Sequence, residues 1–370
     1  MEATARAVVY ESAEVFTIRE FPLPEISGGD MLVRVALCGV DGSELQQFRG
    51  KAAWIERIRP VIFGDEIVGH VAAIGEEAAK ARGLKVGDPV IVESRWPCAG
   101  CPCCDGGQYY LCRNNPMGRG YGSISSDEAP HLWGGYATHV YVPAGALTYR
   151  VPDGLTLPQA LLGCSTLANS VHWTRQVEAG PGRTIAVIGP GPQGLGCALA
   201  AAEAGARVAL IGLARDEARL TLAGQLCDVE TFAIRPDESG DAVAERVGAV
   251  MGDIDAVIEV AGAQPAKELA LKLVRHTGTI AHVSLAHPGV QPVDWVAMLM
   301  KEVRMLNPVS HPHAVEAGLD LAARLLARGV DVGTLVSHVF PLDRATDAIR
   351  TASYETPGDA PIKVALDPGL

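Results

Sequence analysis

Thr184-Ile-Ala-Val-Ile-Gly-Pro-Gly-Pro-Gln-Gly-Leu-Gly196 is the stretch on which the fold turns. Its apolar, partly β-branched run Ile185 to Ile188 reads as a buried parallel strand. The run ends at Gly189, Gly191 and Gly194, which is G-x-G-x-x-G. A helical run, Leu195 to Ala204, follows and closes at Gly205, and a second strand, Arg207 to Ile211, comes next. Gly189 allows the tight turn, Gly191 lets backbone approach a pyrophosphate, and Gly194 lets helix pack on strand. Pro192, Gln193 and Leu195 complete the loop, and the helix N-terminus presents unpaired N–H groups to the phosphates. A G-x-G-x-x-G alone is weak. Its place between a strand and a helix inside a βαβ unit makes it a dinucleotide-binding signature.

The chain has 370 residues, enough for about two domains. Hydrophobic residues make up 48%, which allows sizeable cores, and the formal charge is -12. That charge argues against nucleic acid and anionic membrane as partners and leaves a small-molecule substrate. Ala5 to Tyr10 reads as a strand rather than a signal segment, and no uninterrupted apolar run reaches the length of a membrane span. The expected location is the cytoplasm, where the nine cysteines are not expected to pair as disulfides.

Five of those cysteines fall between Cys98 and Cys112. Cys98, Cys101, Cys104 and Cys112 give C-x2-C-x2-C-x7-C, a spacing that places several thiolates around one tetrahedral ion. Zinc suits four sulfurs, and with all four positions filled by protein the site is structural. An iron–sulfur cluster is the minor alternative, and Cys103 is left outside the set.

The N-terminal part is rich in strands, Gly and Pro, as in Met31-Leu-Val-Arg-Val-Ala-Leu, Gly69-His-Val-Ala-Ala-Ile-Gly and Asp88-Pro-Val-Ile-Val. Near Pro158 the texture changes to alternating helix and strand, with further parallel strands expected at Ile254-Asp-Ala-Val-Ile-Glu-Val-Ala-Gly262 and Gly278-Thr-Ile-Ala-His-Val-Ser284. An amphipathic helix is expected over Ala314 to Arg328. Val336-Ser-His-Val-Phe-Pro-Leu and Lys363-Val-Ala-Leu read as strands returning to the first domain.

The chain resembles the medium-chain dehydrogenase/reductase family, in its zinc-dependent alcohol and polyol dehydrogenase branch. The resemblance rests on Cys38-Gly-Val-Asp-Gly-Ser-Glu44, Gly64-Asp-Glu-Ile-Val-Gly-His-Val-Ala-Ala-Ile-Gly75, the four-cysteine lobe, Gly134-Gly-Tyr-Ala137, Leu162-Gly-Cys164, the glycine loop and Asp255-Ala-Val-Ile-Glu-Val-Ala-Gly262. It implies an α/β fold: a twisted, β-rich catalytic domain with a barrel-like core, a Rossmann domain with a doubly wound parallel sheet, and a cleft between them. The expected divisions are 1–157 for the catalytic domain, with the zinc lobe at 95–115, 158–308 for the dinucleotide-binding domain, and 309–370 for the return. It also implies a homodimer or homotetramer.

Similar enzymes hold a second, catalytic zinc with a Cys where this chain has Asp41, a His where it has Asp65 followed by a Glu matched by Glu66, and a Cys or Glu matched by Cys164. Here the Cys, His, Cys set reads Asp, Asp, Cys. Two readings follow. Asp41, Asp65 and Cys164, with or without Glu66, hold a zinc made a poorer Lewis acid by three anionic ligands. Otherwise the catalytic metal is absent, the clustered carboxylates repel one another, and a protonated Asp or Glu serves as general acid. The second is favoured, because carboxylates replace both softer ligands. Ser43 occupies the family's hydroxyl relay position, while Gln46 stands where many members have a relay His. His139, His282 and His338 read as structural; His311 and His313 lie near the expected domain junction. Phe48, Trp54 and Trp96 are pocket or core.

An NAD-preferring Rossmann domain ends its second strand with Asp or Glu. Here Val208-Ala-Leu-Ile-Gly212 leaves that corner to Gly212, and Arg215 and Arg219 follow as candidate partners of a 2′-phosphate. NADP(H) is therefore favoured, with NAD the alternative. The expected function is hydride transfer to or from a small polar, cyclic or polyol, substrate by alcohol/carbonyl interconversion. The alternatives are reduction of an activated C=C or C=N bond, a cofactor-retaining reaction without net redox, and a binding protein that has lost the chemistry.

Overall fold

Strand Thr184–Ile188 lies in the interior of a six-stranded sheet in the computed structural model, which describes residues 4–114, 120–284, 290–355 and 360–370. Residues 1–3 of the expected first domain and residue 115 of the expected lobe lie outside the described residues. The strand order is Glu230–Ile234, Arg207–Leu213, Thr184–Ile188, Ile254–Glu259, Val274–His282, Arg304–Leu306, and every pairing is parallel. The order reverses beside Thr184–Ile188, so the glycine turn sits at a topological switch point. Its strand reads as an apolar run because both faces are covered: Ile185, Ala186, Val187 and Ile188 are all buried. The following helix spans Pro192–Glu203, with Ala204 as its C-cap, and the chain turns at Gly205, whose φ of 88° an L side chain rarely adopts.

The chain divides into two compact units, Thr166–Leu321 and Met1–Ser165 with Ala322–Leu370. The first division falls after 165 rather than 157 because helix Leu157–Cys164 packs on strands Met31–Gly39 and Glu66–Ile74. The second falls inside helix Val315–Ala327 rather than at 308.

The larger unit holds a seven-stranded, mostly antiparallel sheet. Along it run Val336–Phe340, Lys363–Leu366, Met31–Gly39, Glu66–Ile74, Pro89–Val92 and Thr148–Arg150, with His139–Val142 also pairing Met31–Gly39. A three-stranded sheet, Val15–Pro22, Thr4–Ser12 and Val61–Ile62, carries part of the core. Tyr10 stacks on Phe63, and Phe16 meets Phe48, Phe63 and Tyr136. Phe48 and Trp96 are core residues and Trp54 packs partly buried against them. Among the described residues no helix is long and apolar enough to cross a membrane.

Two of the loop glycines respond differently to a side chain. A Cβ on Gly194 would stand 1.8 Å from the Gly189 carbonyl oxygen, whereas one on Gly191 would meet nothing within 4 Å. Gly194→Ala is therefore expected to cost about 2 kcal/mol or more in denaturant unfolding, by forcing the helix off its strand. Gly191→Ala is expected to stay within about 0.5 kcal/mol of the parent.

Candidate functional site

The glycine turn is a cradle of backbone. Gly189 has φ 107°, and its N–H donates to the Ile211 carbonyl at 2.8 Å. Gly191 is the N-cap of helix Pro192–Glu203. Pro192, at the first helical position, has no N–H, and the Leu195 N–H returns to the Gly191 carbonyl at 2.9 Å. That leaves the N–H groups of Gln193 and Gly194 in the first turn, where a helix offers them no internal acceptor. The Gln193 Oε1 atom is buried with no partner among the described residues. Open space above Gly191, two free donors and a helix dipole fit a bound pyrophosphate.

The corner beyond the second strand is built differently from its sequence reading. The strand runs on to Leu213. Gly212 does not leave a vacant corner, because a Cβ there would stand 2.6 Å from Pro190 Cγ. Arg219 is buried and paired with Asp216, Nη1 to Oδ1 3.0 Å, so its guanidinium faces the protein rather than a ligand. Asp216 also accepts the Leu213 N–H at 3.0 Å. Arg215 stands exposed in the turn Ala214–Asp216.

In the larger unit, Asp41 caps helix Gly42–Phe48, and its Oδ1 accepts the Ser43 N–H at 2.6 Å. Glu44 completes a capping box by accepting the Asp41 N–H at 2.9 Å. Glu44 is buried and takes two more hydrogen bonds, from the Gly64 N–H at 2.8 Å and the Tyr136 hydroxyl at 2.7 Å. Gly64 immediately precedes Asp65 and Glu66, so Glu44 fixes both acid segments relative to each other. Burial, then Asp65, raise the Glu44 carboxyl well above the usual range.

Glu66 is buried and ion-paired with Lys363, whose Nζ also donates to the Val40 carbonyl at 3.1 Å. Burial alone would lower the Lys363 ammonium, but Glu66 and Asp41 outweigh it and its pKa is raised. Burial, then Asp41 and Glu66, push the Asp65 carboxyl up to about 7, against the pull of Arg95 and Lys363. The buried Cys164 thiol, at the end of helix Leu157–Cys164, is raised by burial, then by Glu66 and Glu93. Asp41 and Glu66 are among the causes of the Asp65 shift, and Glu66 and Asp65 among those of the Cys164 shift, so these side chains share one electrostatic neighbourhood.

The four cysteines of the lobe do converge: the Sγ atoms of Cys98, Cys101, Cys104 and Cys112 all lie within 4.8 Å of one another. Backbone N–H groups of Cys104 and Arg113 hold the Cys101 thiol down to about 6, and the Cys98 N–H points at Cys104 Sγ at 3.4 Å. The set therefore fits a tetrahedral, all-thiolate ion. Among the described residues no second group of three or more Cys, His, Asp or Glu ligands converges this way.

Sequence reasoning missed Glu44, Tyr136 and Lys363. Asp41-x-x-Glu44 was itself a capping-box signal, but Lys363 has no local one, since it arrives from 323 residues beyond Val40. His139 and His338 lie in strands, as does His282, and the buried His311 meets Asn169 at 3.0 Å.

Residues 27–153 match the alcohol dehydrogenase GroES-like domain family, and residues 192–324 match the zinc-binding dehydrogenase family. The chain is 34% identical over 376 residues to a probable alcohol dehydrogenase of Mycobacterium tuberculosis, covering 99% of each. It is similar in structure to the alcohol dehydrogenase TADH from Thermus sp. ATN1, with TM-score 0.79, 28% identity and 98% and 99% of the two chains covered. A putative zinc-binding dehydrogenase from Sinorhizobium meliloti 1021, bound to NADP, superposes with TM-score 0.81 at 26% identity, covering 99% and 100%. With these matches spanning both units, the chain belongs to the zinc-dependent alcohol dehydrogenase-like branch of the medium-chain dehydrogenases/reductases and is an NAD(P)-dependent oxidoreductase.

Proposed function

We propose that this protein is an NADP(H)-dependent enzyme that interconverts an alcohol and a carbonyl on a small polar substrate without a catalytic zinc, with Asp65 moving the proton. The observation that carries the reading is the state of the acid group. Of the four candidate ligands, Asp41 is engaged at a helix cap and Glu66 is paired with an ammonium, and two carboxylates stand where zinc would favour thiolate and imidazole. Lys363 already supplies the positive charge that these acids need, and a dication beside it would be repelled. The donor set does not fit a catalytic zinc.

The nicotinamide ring, when bound, accepts or supplies the hydride. Asp65 does the acid–base work. In reduction, its protonated carboxyl donates to the substrate oxygen as the carbonyl carbon gains hydride; in oxidation, the carboxylate takes that proton back. A pKa of about 7 suits both directions. Lys363 and Arg95 lower the cost of the carboxylate left after transfer. The cysteine lobe holds one structural zinc through Cys98, Cys101, Cys104 and Cys112, which cross-links the loop and takes no part in chemistry.

NADP(H) preference rests on three features. Pro190 fills the corner at Gly212, Asp216 is engaged by Arg219 and the Leu213 N–H rather than offered to ribose hydroxyls, and Arg215 stands free to pair with a 2′-phosphate.

Elemental analysis of protein never exposed to chelator or added metal should find about one zinc per chain. Cys104→Ser should lose that zinc and melt lower, yet transfer hydride while folded; a count of two that falls to one in Asp65→Asn would overturn the metal-free mechanism. Asp65→Asn should lower kcat by about 10²–10⁴ and erase an inflection near pH 7, above which wild-type reduction declines. Because the folded pKa lies above the ordinary 3.8, Asp65 contributes stability below that value and loses it as pH rises to about 7. The Asn variant should therefore melt higher than wild type above pH 7. Fluorescence titration of Arg215→Ala should show weaker NADPH binding, by about tenfold, with NADH binding unchanged.

A further inference from the structure

Glu259 ends strand Ile254–Glu259 and is fully buried, 0% exposed, yet nothing in hydride or proton transfer uses it. Its Oε1 accepts two backbone N–H groups, from Ala261 at 2.8 Å and Gly262 at 2.6 Å. These bonds curl residues 260–262 into a tight turn, with Gly262 at φ 74°. The Val260 N–H donates to the Ile188 carbonyl at 3.0 Å, which ties the turn to the last residue of the strand leading into the glycine loop.

That turn is the wall against which the loop packs. A Cβ on Gly189 would stand 3.0 Å from Ala261 Cβ and 3.1 Å from its backbone nitrogen. A Cβ on Gly194 would stand 3.3 Å from Val260 Cγ2. Gly189 therefore packs on a residue that Glu259 holds directly, and Gly194 meets the neighbouring residue of the same turn. Its other oxygen, Oε2, faces His282 Nδ1 at 3.5 Å across the register pair Glu259–His282, and neither atom has a hydrogen-bond partner among the described residues.

We propose that Glu259 is a positioning residue for the dinucleotide: a buried carboxylate that sets the wall behind the phosphate-binding turn through the Ala261 and Gly262 amides. The proposal rests on the dinucleotide reading of that turn. Binding of a pyrophosphate by backbone N–H groups depends on their placement to a fraction of an ångström, and a wall that relaxes lets Gly189 and the helix start drift. Glutamine keeps an oxygen that accepts the same two amides, whereas alanine leaves both buried donors unpaired.

The test compares Glu259→Ala, Glu259→Gln and Glu259→Asp with wild type by NADPH fluorescence titration, thermal melting, and the Michaelis constants for cofactor and carbonyl substrate. Glu259→Ala should weaken NADPH about tenfold and raise the cofactor KM while leaving the substrate KM in place. Glu259→Gln should stay within about threefold of wild type. If Glu259→Ala does not melt cooperatively, Glu259→Asp carries the comparison: its shorter arm cannot reach both amides, and it should bind NADPH more weakly than the Gln variant. A folded Ala variant with wild-type affinity, Gln and Ala variants that are equally weak, or an Asp variant that binds like wild type would each overturn the proposal. Gly191→Val separates the two ideas. If wild type binds NADPH and Gly191→Val does not, the turn is the nucleotide site and the Glu259 series judges the proposal alone. If Gly191→Val binds as wild type does, the reading of the turn has failed and the proposal falls with it.

Discussion

One buried carboxylate, Glu44, organises the acidic pocket. It accepts from the Asp41 N–H, the Gly64 N–H and the Tyr136 hydroxyl, which belong to three segments far apart in the chain. Burying a carboxyl is costly unless its lone pairs are met, and three donors at normal distance offset much of that cost. The arrangement has a price in charge. By drawing the cap of one helix and the loop before Glu66 onto a single group, it concentrates Asp41 and Glu66 beside Asp65, whose ionised form they disfavour. One buried ammonium, Lys363, answers them, and its pairing with Glu66 leaves Asp65 as the acid whose proton is most easily exchanged near neutrality.

The dinucleotide unit is governed by contact distance instead. Its parallel sheet needs helix and strand in close apposition, and the turn between them has no room for a Cβ at Gly194. At Gly191 the same turn is open, so the glycine that packing requires and the glycine that leaves room above the turn are three positions apart. At the second-strand corner Asp216 and Arg219 pair with each other and leave Arg215 outward.

Most of the architecture was legible in the sequence because apolar periodicity and glycine placement are local signals. The run Ile185–Ile188, the strand from Arg207, the helix over 314–328 and the returning strand at Lys363 all lie within a residue or two of their observed places. The four-cysteine lobe was legible for the same reason, since thiol spacing within 15 residues nearly determines thiol proximity. What was not legible was pairing at long range. Nothing near Gly212 announces the Pro190 ring, and nothing near Glu66 announces Lys363, whereas the Asp216–Arg219 pair, three residues apart, is a local pattern. The Asp41 cap was within reach, because an acid three residues before Glu44 at a helix start is a recognisable reciprocal pattern, and it assigns Asp41 a backbone task.

The strand Lys363–Leu366 lies between Met31–Gly39 and Val336–Phe340 in the sheet of the larger unit. That placement gives the chain a fixed order of assembly. Domains fold largely as units while the chain is made from its N-terminus. Thr166–Leu321 is continuous and has all its strands before Ala322 emerges, so it is complete while its neighbour still lacks two strands of its sheet. Through that interval Glu66 and the Val40 carbonyl wait for their ammonium, and Arg95 is left to offset the acids without Lys363. The unit that carries the glycine turn can thus form before the acidic pocket is complete, and the last strand to arrive brings the ammonium that pairs with Glu66 there.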